Sequence, residues 1–167
     1  MKSVYITTIV GEDSPQLIKS MAETTRSMGG EWLKSKVMKL DRQFAAMMKV
    51  TIEDGKEESL KAELEKTYPD LQFTYAPART EDAEHVDTVS LTVDCEDRPG
   101  LTHDITKVLS DLNLHTENLE FHRLPVTPMG GTVYSAKMDV MLPESMSKED
   151  LSDNLEAVSD CIRVNFD

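Results

Sequence analysis

Apolar and polar positions along the chain follow two periods that succeed one another in a fixed order. From Ser3 to Val10 the spacing predicts a strand with Tyr5 and Ile9 on one face and Val4, Ile6 and Val10 on the other. A strand apolar on both faces is expected to be covered on both. Leu17, Met21 and Met28 then recur at helical spacing, with Ile18 and Ala22 beside them. Pro15 suits the first helical turn, where its missing N–H costs nothing, and Gly29-Gly30 ends the helix. Trp32–Leu40 and Phe44–Ile52 alternate as two strands around the short turn Asp41-Arg42-Gln43. After Gly55, Leu60 and Leu64 mark a charged helix that stops at Pro69-Asp70, and Leu71, Phe73 and Tyr75 form a closing strand.

The same order then repeats. TTIVGEDSPQL at 7–17 lies over LTVDCEDRPGL at 91–101, so that Glu12, Asp13, Pro15 and Leu17 match Glu96, Asp97, Pro99 and Leu101 at an offset of 84. Val37 and Leu40 match Phe121 and Leu124 at that offset. Phe44, Ala46, Met48, Val50 and Ile52 match Tyr134, Ala136, Met138, Val140 and Leu142 at an offset of 90. About six extra residues therefore fall within Pro125–Gly131 of the second copy. Toward the end the offset is 91, with Leu60, Leu64, Leu71 and Phe73 over Leu151, Leu155, Ile162 and Val164. The polar, unrepeated stretch PARTEDAE separates the copies, giving units at 1–77 and 86–167 with a linker at 78–85. Each copy reads strand, helix, strand, strand, helix, strand. The fold class is α+β: two ferredoxin-like βαββαβ domains in tandem, each a four-stranded antiparallel sheet with two helices on one face. A unit of about 80 residues has a modest core. The doubly apolar first strand therefore implies a covering surface from the other unit or from a second chain, as in a homo-oligomer.

Charge narrows the function classes. Of 167 residues, 39% are hydrophobic and 29% charged, with a formal net charge of −13. Residues 1–76 carry 11 basic and 12 acidic side chains, while residues 77–167 carry 7 and 19. This balance argues against sequence-specific DNA binding by the chain alone. The acidic half reads as a solvated surface or a face for a basic partner. Lys34, Lys36 and Lys39, followed by Arg42, read as edge protection on a solvated strand. No apolar run reaches the length of a membrane span. MKSVYITTIV is too short and too rich in threonine for a secretory leader, so the expected location is cytoplasmic. Cys95 and Cys161 form no metal pattern and are expected to be reduced. Cys95 continues the alternation of Val89, Leu91 and Val93 into the core, and Cys161 is expected on the opposite face, too ill-placed for a bridge.

The candidate chemistry lies in the two acidic turns. Each joins the first strand to the first helix, where unpaired N–H groups and a positive dipole suit a carboxylate. Asp13 and Asp97 beside those amides suit an ammonium group, so one turn offers both charges that a free amino acid needs. Gly100 permits close approach of a ligand to the backbone, whereas Gln16 holds that place in the first copy, so the two sites should differ and the second is the favoured one. Leu17 and Leu101 are candidate walls, and His103 lies just beyond the second turn. The competing reading is plain capping, by Ser14 in the first copy and, since Arg98 cannot cap, by Asp97 in the second. The four histidines show no metal-grade spacing, His115 and Glu117 being expected on one strand face and Asn118, Glu120 and His122 on the other. No nucleophile–base, phosphate-loop or dinucleotide signature is present. No catalytic residue, metal or cofactor is assigned, and a small enzyme on this fold is the weakest of three readings.

EDSPQL and EDRPGL within tandem βαββαβ units resemble a pair of ACT domains, whose usual turn is of the D-R-P-G-L type. Asp97, Arg98, Pro99, Gly100 and Leu101 match it closely, while the first copy keeps Asp13, Pro15 and Leu17 but has Ser14 and Gln16. The resemblance implies a regulator rather than a catalyst, with amino-acid ligands held by Asp13, Ser14, Gln16 and Leu17 and by Asp97, Arg98, Gly100, Leu101 and His103. The two-copy length is similar to that of free-standing tandem-ACT regulators of glycine cleavage genes. That similarity implies glycine as the leading ligand and repression exerted through a separate DNA-binding activator protein. A free-standing ACT pair that allosterically modulates a metabolic enzyme is the alternative.

Overall fold

Among the described residues, twelve elements run in the order expected. The first six are β1 (Lys2–Glu12), α1 (Leu17–Ser27), β2 (Glu31–Leu40), β3 (Gln43–Glu53), α2 (Glu57–Thr67) and β4 (Gln72–Pro77). The second six are β5 (Asp87–Glu96), α3 (Leu101–Asp111), β6 (His115–Val126), β7 (Gly131–Leu142), α4 (Lys148–Glu156) and β8 (Arg163–Phe166). The computed structural model describes residues 1–79, 86–126 and 130–167. It divides into two compact units, Met1–Glu81 and Asp82–Asp167. Most of the expected linker and the middle of the Pro125–Gly131 insertion lie outside the described residues.

Each unit is a four-stranded antiparallel sheet, ordered β2-β3-β1-β4 in the first and β6-β7-β5-β8 in the second. The three sequence offsets reappear as strand register. Tyr5 faces Val50 and Val89 faces Val140; Val37 faces Ala46 and Phe121 faces Ala136; Thr7 faces Tyr75 and Leu91 faces Phe166. A bulge also repeats, between Trp32 and Lys34 in β2 and between Thr116 and Asn118 in β6. Simple alternation misses it, with one consequence for the histidines. Because the bulge inserts a residue, His115 shares the outer face with Asn118, Glu120 and His122, opposite Met141, Asp139, Lys137 and Ser135. The sequence reading had placed it across the sheet.

One face of each sheet is buried under the two helices. In the first unit Tyr5, Ile9, Phe44, Ala46, Met48 and Val50 pack with Leu17 and Met21 of α1 and Leu60 and Leu64 of α2. In the second, Leu91, Val93, Tyr134, Ala136 and Met138 pack with Leu101, Ile105, Leu109, Leu151 and Leu155. Gly30 lies so close to Thr25 and Leu60 that an added Cβ would sit 2.9 Å from Thr25 Cγ2 and 3.0 Å from Leu60 Cδ2. Its requirement is space rather than a special dihedral. Thr25 is buried because its hydroxyl donates to the Met21 carbonyl at 2.8 Å and accepts from the Trp32 indole at 3.2 Å.

Two expectations, for Pro15 and for Cys161, are corrected here. The second apolar face of β1 is not covered within its unit: Val4 and Val10 are exposed, as are Met38, Leu40 and Met47. The equivalent face of β5 carries Thr88, Ser90, Thr92 and Asp94 instead. Pro15 lies in the turn before α1, which starts two residues later. Cys95 is buried as expected, but Cys161 precedes β8 in a turn. Free of the strand's alternation, its thiol sits 3.2 Å from the Ser159 hydroxyl and near enough to Cys95 for each thiol to act on the other.

At the start of β1, the Lys61 ammonium lies 5.2 Å from the Tyr5 ring centre and 4.8 Å from that of Tyr75, held by Glu57 and Glu58. The Tyr5 hydroxyl is buried with no hydrogen-bond partner. Burial, with Glu57 adding to it, pushes the phenol up from 10.0 to about 12. The unfolded chain therefore gives up this proton near its ordinary value and the folded chain above it. Between the two the folded state holds more protons, and stability falls as pH rises. Tyr5→Phe keeps the ring and removes the titrating group. Urea unfolding should show a shallower loss of stability between pH 10 and 12 than in the wild type, and a change within about 1 kcal/mol at pH 7. An unchanged alkaline slope would contradict this account of Tyr5.

Candidate functional site

The turn between β1 and α1 is fixed at both ends by backbone bonds. The Asp13 N–H donates to the Arg42 carbonyl at 2.8 Å, tying it to the β2–β3 turn. The Leu17 N–H donates to the Ser14 carbonyl at 3.1 Å, closing the turn that Pro15 and Gln16 occupy. The second unit repeats the first of these: the Asp97 N–H donates to the Thr132 carbonyl at 2.8 Å. The turns differ at their last residue. Gly100 has φ +88°, while Gln16 sits at φ −103°. A Cβ on Gly100 would meet open space, so glycine is needed there for its left-handed backbone. A residue with a side chain in the first copy accordingly means a differently shaped turn.

Capping by side chains does not account for the acidic turns. Neither α1 nor α3 receives a side-chain cap. The aspartates instead bind cations from the second strand of their own unit. Asp13 Oδ2 accepts from the Lys39 ammonium at 2.7 Å, and both oxygens of Asp97 accept from Arg123 Nε, at 3.2 and 3.0 Å. Asp13 and Asp97 match at the offset of 84, and so do Lys39 and Arg123, so the ion pair is part of the repeat. Lys39 and Arg123 face Phe44 and Tyr134 across the hairpin. They lie on the helix-covered side of the sheet, which lets them reach the turn. With Lys39 and Arg123 more than half exposed, such pairs contribute only about 0–1 kcal/mol. Their effect is on position and local charge.

The two pairs leave different residual chemistry. In the second unit Arg123 also lies 5.7 Å over the Tyr134 ring, and the Tyr134 hydroxyl is 2.9 Å from Thr102 Oγ1. Arg98 donates to Asp104 at 2.8 Å and to the Pro99 carbonyl at 3.3 Å. Leu101 is fully buried and belongs to the core rather than to an open wall, while His103 is exposed on the first turn of α3. In the first unit Asp13 Oδ1 is enclosed without a hydrogen-bond partner. Asp13, Ser14 and Leu17 line a cleft with Gly11, Glu12 and Gln43, whose far side is Thr67, Tyr68, Pro69, Asp70 and Leu71. Gln16 is exposed and is not among these lining residues. The Tyr68 hydroxyl on that far side is 2.5 Å from Ser20 Oγ of α1. The chain approaches itself closely here: a Cβ on Gly11 would sit 2.4 Å from Leu71 Cδ2.

The α2–β4 wall of this cleft and the two partner cations were missed by reasoning on the sequence. The signal for the cations was present in the matched Lys39 and Arg123. The wall carries no motif and is brought to the turn only by the pairing of β4 with β1. Among the described residues no helix is long and apolar enough to cross a membrane.

Comparison with known proteins agrees with this architecture. The ACT domain family model matches residues 3–75. No protein of curated function matches the sequence. A solved structure of an unknown protein from Galdieria sulphuraria superposes with a TM-score of 0.85 at 18% identity, covering 100% of this chain and 98% of that one. A solved protein assigned as a glycine cleavage system transcriptional repressor superposes with a TM-score of 0.76 at 15% identity, covering 100% and 97%. At these identities the likeness is one of fold. Residues 3–75 match the ACT domain, and the whole chain has a tandem ACT-like fold.

Proposed function

We propose that this protein is an amino-acid-responsive regulator that acts on another protein, with the cleft of the first unit as its ligand site and glycine as the ligand. The observation that carries this reading is the asymmetry of the two aspartates. Arg123 occupies both oxygens of Asp97, whereas Lys39 takes one oxygen of Asp13 and leaves Oδ1 enclosed and unpaired beside a cleft. A buried acceptor without a partner costs stability, and a ligand ammonium would satisfy it. The ligand carboxylate would meet the opening amides of α1, which no side chain caps. Glycine is named on the likeness to the solved repressor, and Leu17, Tyr68 and Leu71 line the cleft beside the ligand. A bound amino acid would bridge the β1–α1 turn to the α2–β4 segment and alter the surface at that end of the unit.

The regulatory target in this reading is a DNA-binding activator of glycine cleavage genes, which the protein restrains. The likeness to the solved repressor supports that target, as does a net charge of −13, which suits contact with a basic partner better than contact with DNA.

Calorimetry with glycine tests the site. Asp13→Ala should weaken binding by about tenfold or more, the loss of a charge-assisted hydrogen bond, while Asp97→Ala should leave it within about threefold. The reverse order would move the site to the second unit, and no change in either folded variant would remove both aspartates from it. A gel shift on the promoter of the glycine cleavage genes tests the target. The protein alone should give no sequence-dependent shift, and it should change the shift of the bound activator in a glycine-dependent way. A sequence-dependent shift by the protein alone would overturn the indirect mechanism.

A further inference from the structure

Cys95 and Cys161 are the only cysteines, and both lie in the second unit. Cys95 is buried at the inner edge of β5, and Cys161 is exposed. Asp94 of β5 pairs with Arg163 of β8, so the two cysteines stand at adjoining ends of one strand pair. The repeat shows that the chain runs close to itself at this place. The matching positions in the first unit are Gly11 and Asp70, and a Cβ on Gly11 would lie 2.4 Å from Leu71 Cδ2 and 3.5 Å from the Asp70 carbonyl oxygen. The same frame brings Cys95 against the segment that carries Cys161, and each thiol acts on the other. The thiols also differ in character. The Ser159 hydroxyl, with help from the Glu96 backbone, holds Cys161 below the usual thiol range, while burial pushes Cys95 up to about 11.

We propose that Cys95 and Cys161 form a reversible redox site, in which a hydroperoxide oxidises Cys161 and Cys95 closes an intramolecular disulfide. The Cys161 thiolate attacks the peroxide, forming an S–O bond and breaking the O–O bond, and the departing oxygen takes up a proton as water or alcohol. Cys95 then attacks the sulfenic sulfur. The S–S bond forms, the S–O bond breaks, and the hydroxide leaves as water with the Cys95 proton. Two thiols lose two electrons and one peroxide gains them. A dithiol reductant reverses the step by exchange. The bridge would pin the turn before β8 to the end of β5, two residues from Asp97. The first unit has no counterpart, so only the second unit would respond.

The test treats the full-length protein with hydrogen peroxide and maps its peptides without reduction. The expected result is a monomer with both thiols lost, a linked Cys95–Cys161 peptide, and a thermal midpoint that rises on oxidation and falls back with dithiothreitol. Cys95→Ser, with its fold checked by circular dichroism, should stop at a sulfenic acid on Cys161 that dimedone traps. Cys161→Ser should leave Cys95 unreacted. The proposal is overturned if the folded wild type accumulates oxidised Cys161 or disulfide-linked dimers without the internal bridge. The wild-type readout stands alone if the buried substitution fails to fold.

Discussion

The architecture rests on one constraint: in each unit one sheet face must be hidden, and two helices hide it. The central strands β1 and β5 supply the middle of that face, and α1 and α3 follow them directly. Burying Leu17 and Leu101 therefore fixes where each helix starts and forces a tight turn after the strand. Hydrophobic burial of this kind is worth about 1.5–3 kcal/mol per large side chain, well above the 0–1 kcal/mol of an exposed ion pair. The acidic turns are thus placed by the core. The Asp13–Lys39 and Asp97–Arg123 pairs adjust a geometry that packing has already set.

This ordering of energies explains how the two copies share a frame and differ in use. The core register, the bulge, the backbone bond from the aspartate and the ion pair all repeat. What changes sits outside the core. Gly100 against Gln16 alters the turn's backbone, Arg123 against Lys39 alters how many aspartate oxygens are taken, and a pair of cysteines replaces Gly11 and Asp70. The outer sheet faces diverge as well, apolar with lysines in the first unit and hydrogen-bonded in the second, where Asp139 accepts from Ser90 at 2.6 Å and from Asn118.

The fold was legible because repetition supplied what a single copy lacks. Three offsets foretold the strand register, and the shift between the first two placed the extra residues in the β6–β7 hairpin. The site was legible only in part. Asp13 and Asp97 stood out in sequence, but whether they cap a helix or hold a cation depends on Lys39 and Arg123, which lie 26 residues further on. Capping is the reading that local sequence offers, and the longer-range pair prevails because the hairpin brings the cation within about 3 Å. The facing of Cys161 was misread because alternation says which residues share a face and is silent on where the strand begins. The bulges defeated the His115 placement in the same way, since one inserted residue inverts everything beyond it.

Amide hydrogen exchange with and without saturating glycine tests the central claim most directly, because it reports where the chain is held without altering any residue. The account predicts slower exchange at residues 13–20 and 67–72, the two sides of the first unit's cleft, with residues 97–104 unchanged. Protection at 97–104 instead, or none at either turn under conditions where glycine binds, would contradict it.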